Sequence, residues 1–388
     1  MSLQNTKNVC KGDEEVAEEH LTETVFAQIG NKKDEHFQAV STPIYFSTAY
    51  RHEEVGLTQK YDYIRTGNPT RDILEEGIAA IEKGDRAFAC SSGMSAIQLV
   101  FSLFKKGDHI IASRDIYGGS FRFFTLFEEK YGIHFSYWDG QGEGVLTELI
   151  QENTRAIFIE TPTNPLMKTT NLQCTAKQAE ENNLLLIVDN TLYTPYIQQP
   201  IEEGADIVIH SGTKYLAGHN DVLAGIVISK GKTINKQLAY LHNSFGAVLS
   251  PFDCWSLMRG MKTLALRMKQ HEKNAKLVIS YLEEHPLVTK VFYPGRGGMI
   301  SFEIVKEHLV NPFLNTLNLF TFAESFGGVE SMITYPATQT HMDIPQEMRE
   351  SYGLSNRLLR LSIGIEHAND LLGDLKQAFD KVSKGGVL

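Results

Sequence analysis

Six short apolar runs, at residues 86–90, 109–113, 156–160, 184–188, 207–210 and 223–229, alternate with stretches long enough for a helix. Parallel strands need such crossovers, and a series of them builds a largely parallel sheet with helices on both faces. The runs are nearly continuously apolar rather than alternating, as strands buried on both faces must be. Past residue 250 the rhythm changes: one long helix is expected over 253–284, then short strands near 299–304 and 360–363. That pattern describes a smaller second domain with a mixed sheet. Residues 1–24 and 41–60 show no periodicity and read as irregular, surface-wrapping segments. The expected division is an arm over 1–60, a large domain over 61–250 and a C-terminal domain over 251–388.

Charge and cysteine usage narrow the classes of function. The 388 residues carry a formal charge of −10, which repels nucleic acid and anionic lipid, and no local basic patch offsets it. Cys10, Cys90, Cys174 and Cys254 are too scattered for a structural zinc or a redox dithiol, so they are expected to be reduced. His134, His219 and His341 are not grouped at ligand spacing, so they are expected in loops or in a polar core, and no metal is expected. No run approaches about 18 apolar residues, and the polar, acidic start lacks the apolar core of a secretory signal. No membrane or nucleic-acid partner is therefore expected, and the expected location is cytoplasmic.

In open parallel sheets ligands sit beyond the carboxyl ends of the strands. The residues there are polar. The first run leads into Ser91-Ser92-Gly93-Met94-Ser95-Ala96, where small residues at a helix start let backbone N–H groups approach a phosphate. Taken alone, this segment fits a hydroxyl-rich helix cap equally well. The fourth run ends in Asp189-Asn190 and the fifth in Ser211-Gly212-Thr213-Lys214. A carboxylate at one strand end can hold a cationic ring nitrogen, and a lysine at the next can condense with an aldehyde. Lys214 alone would pass for a solvated loop lysine; Asp189 and the glycine-containing helix start reverse that reading. The stretch from Gly225 to Thr233 has one residue more than a P-loop allows and no convincing helix behind it, and no dinucleotide-binding glycine motif follows a strand.

Several longer motifs carry a family resemblance: residues 63–70 (Tyr-Ile-Arg-Thr-Gly-Asn-Pro-Thr), Ser92-Gly93-Met94, Tyr117-Gly118-Gly119, and 160–165 (Glu-Thr-Pro-Thr-Asn-Pro). The stretches 188–191, 211–218, 324–331 and 359–364 extend it. From about Thr22 onward the chain resembles the Cys/Met metabolism family of pyridoxal-phosphate enzymes, closest to its γ-replacing members. The resemblance implies an α/β protein of fold type I, with a mainly parallel seven-stranded sheet and a smaller C-terminal α/β domain. It also implies pyridoxal phosphate held by Lys214 as a Schiff base, with Asp189 at the ring nitrogen and Tyr117 on the ring, Lys214 and Tyr117 being the catalytic residues. Gly93, Met94, Ser211 and Thr213 would take the phosphate, with Tyr63 and Arg65 supplied by a neighbouring subunit that the N-terminal arm contacts. Asn164, Ser325 and Arg360 would bind the substrate carboxylate, and Glu324 would meet an amino group.

The reaction implied is γ-replacement on an O-acylhomoserine by cysteine to give cystathionine, or by sulfide to give homocysteine. Cleavage by a cystathionine γ-lyase or β-lyase shares the same machinery. A non-enzymatic scaffold protein is the reading from another class, and Lys214 together with Asp189 argues against it. Partners are expected to be amino-acid substrates and further copies of the chain, as a dimer with shared sites or a tetramer. Thr66 stands where enzymes using a succinylated substrate carry a cation, which favours the acetyl ester. Arg122 is expected near the distal end of the substrate, with a structural helix arginine as the alternative. Phe326 replaces a usual leucine without evident consequence.

Overall fold

Residues 20–34, 36–140 and 142–384 are described in a computed structural model. Residues 1–19 of the expected arm, Cys10 among them, lie outside the described residues. A helix starts at Thr22 (Thr22–Gln28), inside the segment expected to be irregular, and buries Phe26. The stretch 41–60 has no helix or strand beyond an isolated bridge between Ala49 and Tyr63.

Local chemistry sets the first long helix, Pro69–Glu82. Proline occupies its first position, and the Asn68 side chain accepts the Thr70 and Arg71 N–H groups at 3.0 and 3.1 Å, satisfying donors a helix start leaves over. The seven strands that follow are β1 (Arg86–Cys90), β2 (His109–Ser113), β3 (His134–Trp138), β4 (Thr154–Glu160), β5 (Leu185–Asp189), β6 (Ile207–Ser211) and β7 (Gly225–Ser229). They form one sheet in the order β1-β7-β6-β5-β4-β2-β3. Pairing is parallel from β6 to β3, while β7 runs antiparallel to both of its neighbours.

Three departures from the expected pattern have physical causes. The edge strand β3 was not foreseen, because His134, Ser136 and Tyr137 break its apolar run and it is only partly buried. A 14-residue helix, Lys232–Phe245, does follow β7, so a P-loop is excluded by spacing alone. The single helix expected over 253–284 is two, Pro251–Met261 and Leu264–Glu283. They part where the Gly260 carbonyl, bonded by the Thr263 N–H at 3.2 Å, also accepts from the Thr263 hydroxyl at 3.1 Å and the Arg267 guanidinium at 2.8 Å.

A second sheet contains β8 (Val288–Phe292), β9 (Met299–Ile304), β10 (Thr321–Phe322), β11 (Met332–Thr334) and β12 (Leu358–Ser362), ordered β10-β11-β12-β9-β8. Only the β10–β11 pair is parallel. The terminal helix Ala368–Lys384 covers this sheet with Leu371, Leu375, Ala378, Phe379 and Val382, a helical spacing that puts all five on one face. Helix Leu264–Glu283 serves both cores: Met268 packs with the large sheet, and Ala275, Val278 and Leu282 pack with the small one. Hydrophobic packing therefore changes hands inside this helix. Helix Pro251–Met261, beyond the expected boundary at 250, still packs Cys254, Leu257 and Met261 into the first core.

Candidate active site

Strands β4, β5 and β6 end side by side, with Glu160 in register with Asp189 and Asp189 with Ile209. All three side chains face a cavity of about 330 Å³. One wall is the start of helix Gly93–Phe101, where the Ser92 hydroxyl accepts the Ser95 N–H at 3.0 Å. Gly225 makes this wall possible. It pairs with Cys90 on one side and Ser211 on the other, and a Cβ there would lie 2.0 Å from the Ser92 carbonyl oxygen and 2.9 Å from the Gly93 nitrogen. Gly93, Met94, Ser211 and Thr213 thus converge at a helix N-terminus, a setting suited to a phosphate.

Lys214 projects into the cavity and donates to the Ser325 hydroxyl at 2.8 Å. Burial, with repulsion from Arg360, lowers its ammonium to about 8. The Phe326 ring lies 5.2 Å from the lysine nitrogen and 5.3 Å from the Arg360 guanidinium, so this residue is a cation-facing wall of the site, contrary to the expectation that it has no consequence. Ser325 itself is held at φ +115°, backbone strain of the kind that clusters at functional sites.

Two carboxyls line the floor, Glu160 buried and Asp189 half-buried. Asp189 accepts the Thr191 N–H at 3.0 Å and the Thr191 hydroxyl on the same oxygen. Burial raises its pKa, opposed by those two bonds and by His210 on the next strand. Glu160, to which no role had been given, accepts the Tyr117 N–H at 3.0 Å. Burial and the neighbouring Asp189 push it well above the usual carboxyl range. A buried carboxyl lodged against a second carboxylate is recognisable only once β4 and β5 are known to be neighbours.

The far wall is polar and positive. Arg360 on β12 is 2% exposed and donates to Asn164 Oδ1 at 2.7 Å, to the Ser325 carbonyl at 2.9 Å and to Thr334 Oγ1 at 3.1 Å. Its Nε has no hydrogen-bond partner, and no carboxylate pairs with it among the described residues. A buried cation without an anion, beside Asn164, is a ready receptor for a carboxylate. Glu324 and Tyr117 line the same cavity.

Eleven of the expected site residues therefore meet in one cavity, and three do not. Tyr63 and Arg65 lie outside it; Tyr63 is exposed and Arg65 donates to the Asn243 carbonyl and side chain. Arg122 is not on the cavity wall either: it is exposed and paired with Asp343 at 2.6 Å. Among the described residues no group of His, Cys, Asp and Glu could hold a metal ion. His341 is fully buried, His134 is exposed near Glu128, and His219 bonds the Ala217 carbonyl.

Pyridoxal phosphate presents a dianionic phosphate, an aldehyde and a ring nitrogen that gains a proton. The cavity offers a helix start with hydroxyls, a primary amine and a half-buried carboxylate, so its donor set fits the group.

Comparison with known proteins agrees. Residues 23–380 match the Cys/Met metabolism PLP-dependent enzyme family. Cystathionine gamma-synthase/O-acetylhomoserine (thiol)-lyase of Bacillus subtilis is 56% identical over 94% of this chain and 98% of its own length. Cystathionine gamma-synthase of Haemophilus influenzae is 50% identical over 94% and 99%. The crystal structure of cystathionine gamma-lyase from Lactobacillus plantarum, complexed with L-serine, superposes with a TM-score of 0.92 at 41% identity, covering 94% of this chain and 100% of that one. With a family match that spans both sheets and a cavity whose chemistry suits the family's cofactor, the chain belongs to the Cys/Met metabolism PLP-dependent enzymes.

Proposed function

We propose that this enzyme replaces the acyl group of an O-acylhomoserine with cysteine to give cystathionine, and accepts sulfide as a second nucleophile to give homocysteine. The observation that carries the reading is the pairing of a lysine amine, lowered to about 8, with a buried arginine that lacks an anion, across one cavity. The Bacillus subtilis and Haemophilus influenzae relatives support the direction of the reaction. Bound through Lys214, the cofactor supplies an electron sink for charge that develops at the substrate Cα.

The protein's own residues do the rest. Arg360 and Asn164 hold the substrate carboxylate and orient the Cα–H bond towards Lys214. The Lys214 amine takes the Cα proton and moves protons at Cβ, the Ser325 hydroxyl fixing its position. The acyl group leaves as a carboxylate, and a thiolate forms the new bond at Cγ. Asp189 would keep its charge for the ring nitrogen, Tyr117 would cover the ring, and Glu324 would meet the amino group of the cysteine. Tyr63 and Arg65 complete the phosphate site of a neighbouring subunit, in a dimer or a tetramer built from dimers, in the cytoplasm.

Substrate choice follows from charge. Thr66 is neutral, and Arg122 is tied to Asp343. Without a cation at Thr66, a succinyl carboxylate loses a charge-assisted hydrogen bond of about 1.5–3 kcal/mol, or roughly ten- to a hundredfold in specificity. O-acetylhomoserine should therefore have the higher kcat/KM, and Thr66→Arg should improve the succinyl ester. Mass spectrometry of the product from each ester with cysteine, set against cystathionine alone, tests the reading. Cleavage of cystathionine faster than its synthesis would establish the γ-lyase or β-lyase reaction instead.

A further inference from the structure

A loop of the C-terminal half closes over the Tyr117 and Asn164 segments through one imidazole. His341 is fully buried, and its Nε2 lies 3.1 Å from the Ile116 carbonyl oxygen and 2.9 Å from the Asn164 carbonyl oxygen. Two carbonyls can be served only by an N–H, so this nitrogen carries the proton and donates to both. The Thr340 hydroxyl lies 2.8 Å from Nδ1, where it donates to the unprotonated nitrogen and fixes the tautomer. Burial lowers the His341 pKa to about 4, so the ring stays neutral.

The contact is tight on both sides. A Cβ on Gly118 would lie 2.1 Å from the Thr340 carbonyl oxygen, so the helix that begins beside Tyr117 lies directly against this loop. Ile116 immediately precedes Tyr117, whose own N–H is held by Glu160. Asn164 carries the amide oxygen that receives Arg360. One neutral N–H thus joins the backbone of the ring-covering residue to that of the carboxylate-binding residue.

We propose that His341 is a positioning residue that sets Tyr117 and Asn164 relative to each other, so that the C-terminal loop determines the alignment of cofactor ring and substrate carboxylate. The inference rests on the roles given to Tyr117 and Asn164 above. Without the N–H, two buried carbonyls lose their shared donor and the two segments can separate.

The test compares holoenzyme variants by the visible circular dichroism of the bound cofactor, which reports ring orientation, and by KM and kcat for O-acetylhomoserine with cysteine. His341→Leu keeps bulk but removes the donor: the dichroism should fall by about half or more, and KM should rise about tenfold with kcat changed less than about threefold. His341→Gln, whose amide offers two N–H groups, should restore most of both signals. If His341→Leu does not fold, Thr340→Val, which frees the tautomer, should give a smaller shift of the same two signals, and no shift in it overturns the proposal. A folded His341→Leu enzyme with unchanged dichroism and KM overturns it, as does a His341→Gln enzyme as impaired as His341→Leu, which would reveal a packing role alone. Tyr117→Ala and Asn164→Ala run in parallel separate the two levels. If Tyr117→Ala leaves the dichroism unaltered and Asn164→Ala leaves KM unaltered, the roles of those residues fail; if they shift the signals and His341→Leu does not, only the coupling fails.

Discussion

Lys214 sits where its charge is disfavoured. Removing an ammonium from water disfavours its charge, and Arg360 adds repulsion, so the neutral amine is reached at about 8 instead of the ordinary 10.5. Only the neutral amine attacks an aldehyde. The rate at which cofactor-free protein captures pyridoxal phosphate should therefore rise through about pH 8 and level off above it. A stopped-flow rate still climbing towards pH 10.5 would show that the amine is not perturbed. Lys214→Ala should remove covalent attachment altogether. Lys214 and Asp189 could be found from sequence because each ends an apolar run, where strand chemistry puts ligands. Glu160 ends a run as well, but its significance depends on Asp189 lying beside it, a contact between residues that sequence order leaves far apart. Phe326 escaped for a related reason: its effect comes from a ring face turned to two cations, which residue type alone does not reveal.

Among the elements, β7 has the most demanding position. It is inserted antiparallel between β1 and β6, and Gly225 at its start leaves room for the turn that opens helix Gly93–Phe101. Gly225→Ala would drive a methyl into the Ser92 carbonyl and displace the N–H groups proposed to face the phosphate. Overpacking of this kind costs about 1–3 kcal/mol, so cofactor affinity should fall about tenfold or more while the far-ultraviolet spectrum is kept. Equilibrium titration of the cofactor measures it, and unchanged affinity would mean that the helix start does not hold the phosphate. Strands with both faces covered, such as β2 and β4, were readable because burial on two sides demands continuous apolar residues. Edge strand β3 and the break between Met261 and Leu264 were not, since one depends on exposure and the other on a carbonyl captured by the Arg267 side chain from the next helix.

For the assembled molecule, the exposed Tyr63 and the Arg65 outside its own chain's cavity predict complementation. An equal mixture of inactive Lys214→Ala and Arg65→Ala chains, allowed to exchange, should regain about a quarter of wild-type turnover, because half the dimers are hybrids with one intact site of two. Full subunit exchange without recovery would place both residues in a role confined to one chain. Helix Leu264–Glu283 has a different molecular consequence, since its Met268 end belongs to one core and its Ala275 to Leu282 stretch to the other. A helix shared in this way couples the two cores, because unwinding it costs packing in both. Free energy gained when a ligand fills the cavity is thereby passed to strands such as β8 that never meet it. The small sheet, which lends Arg360 to the cavity, is therefore expected to melt together with the large one, at a temperature that rises as the cavity fills.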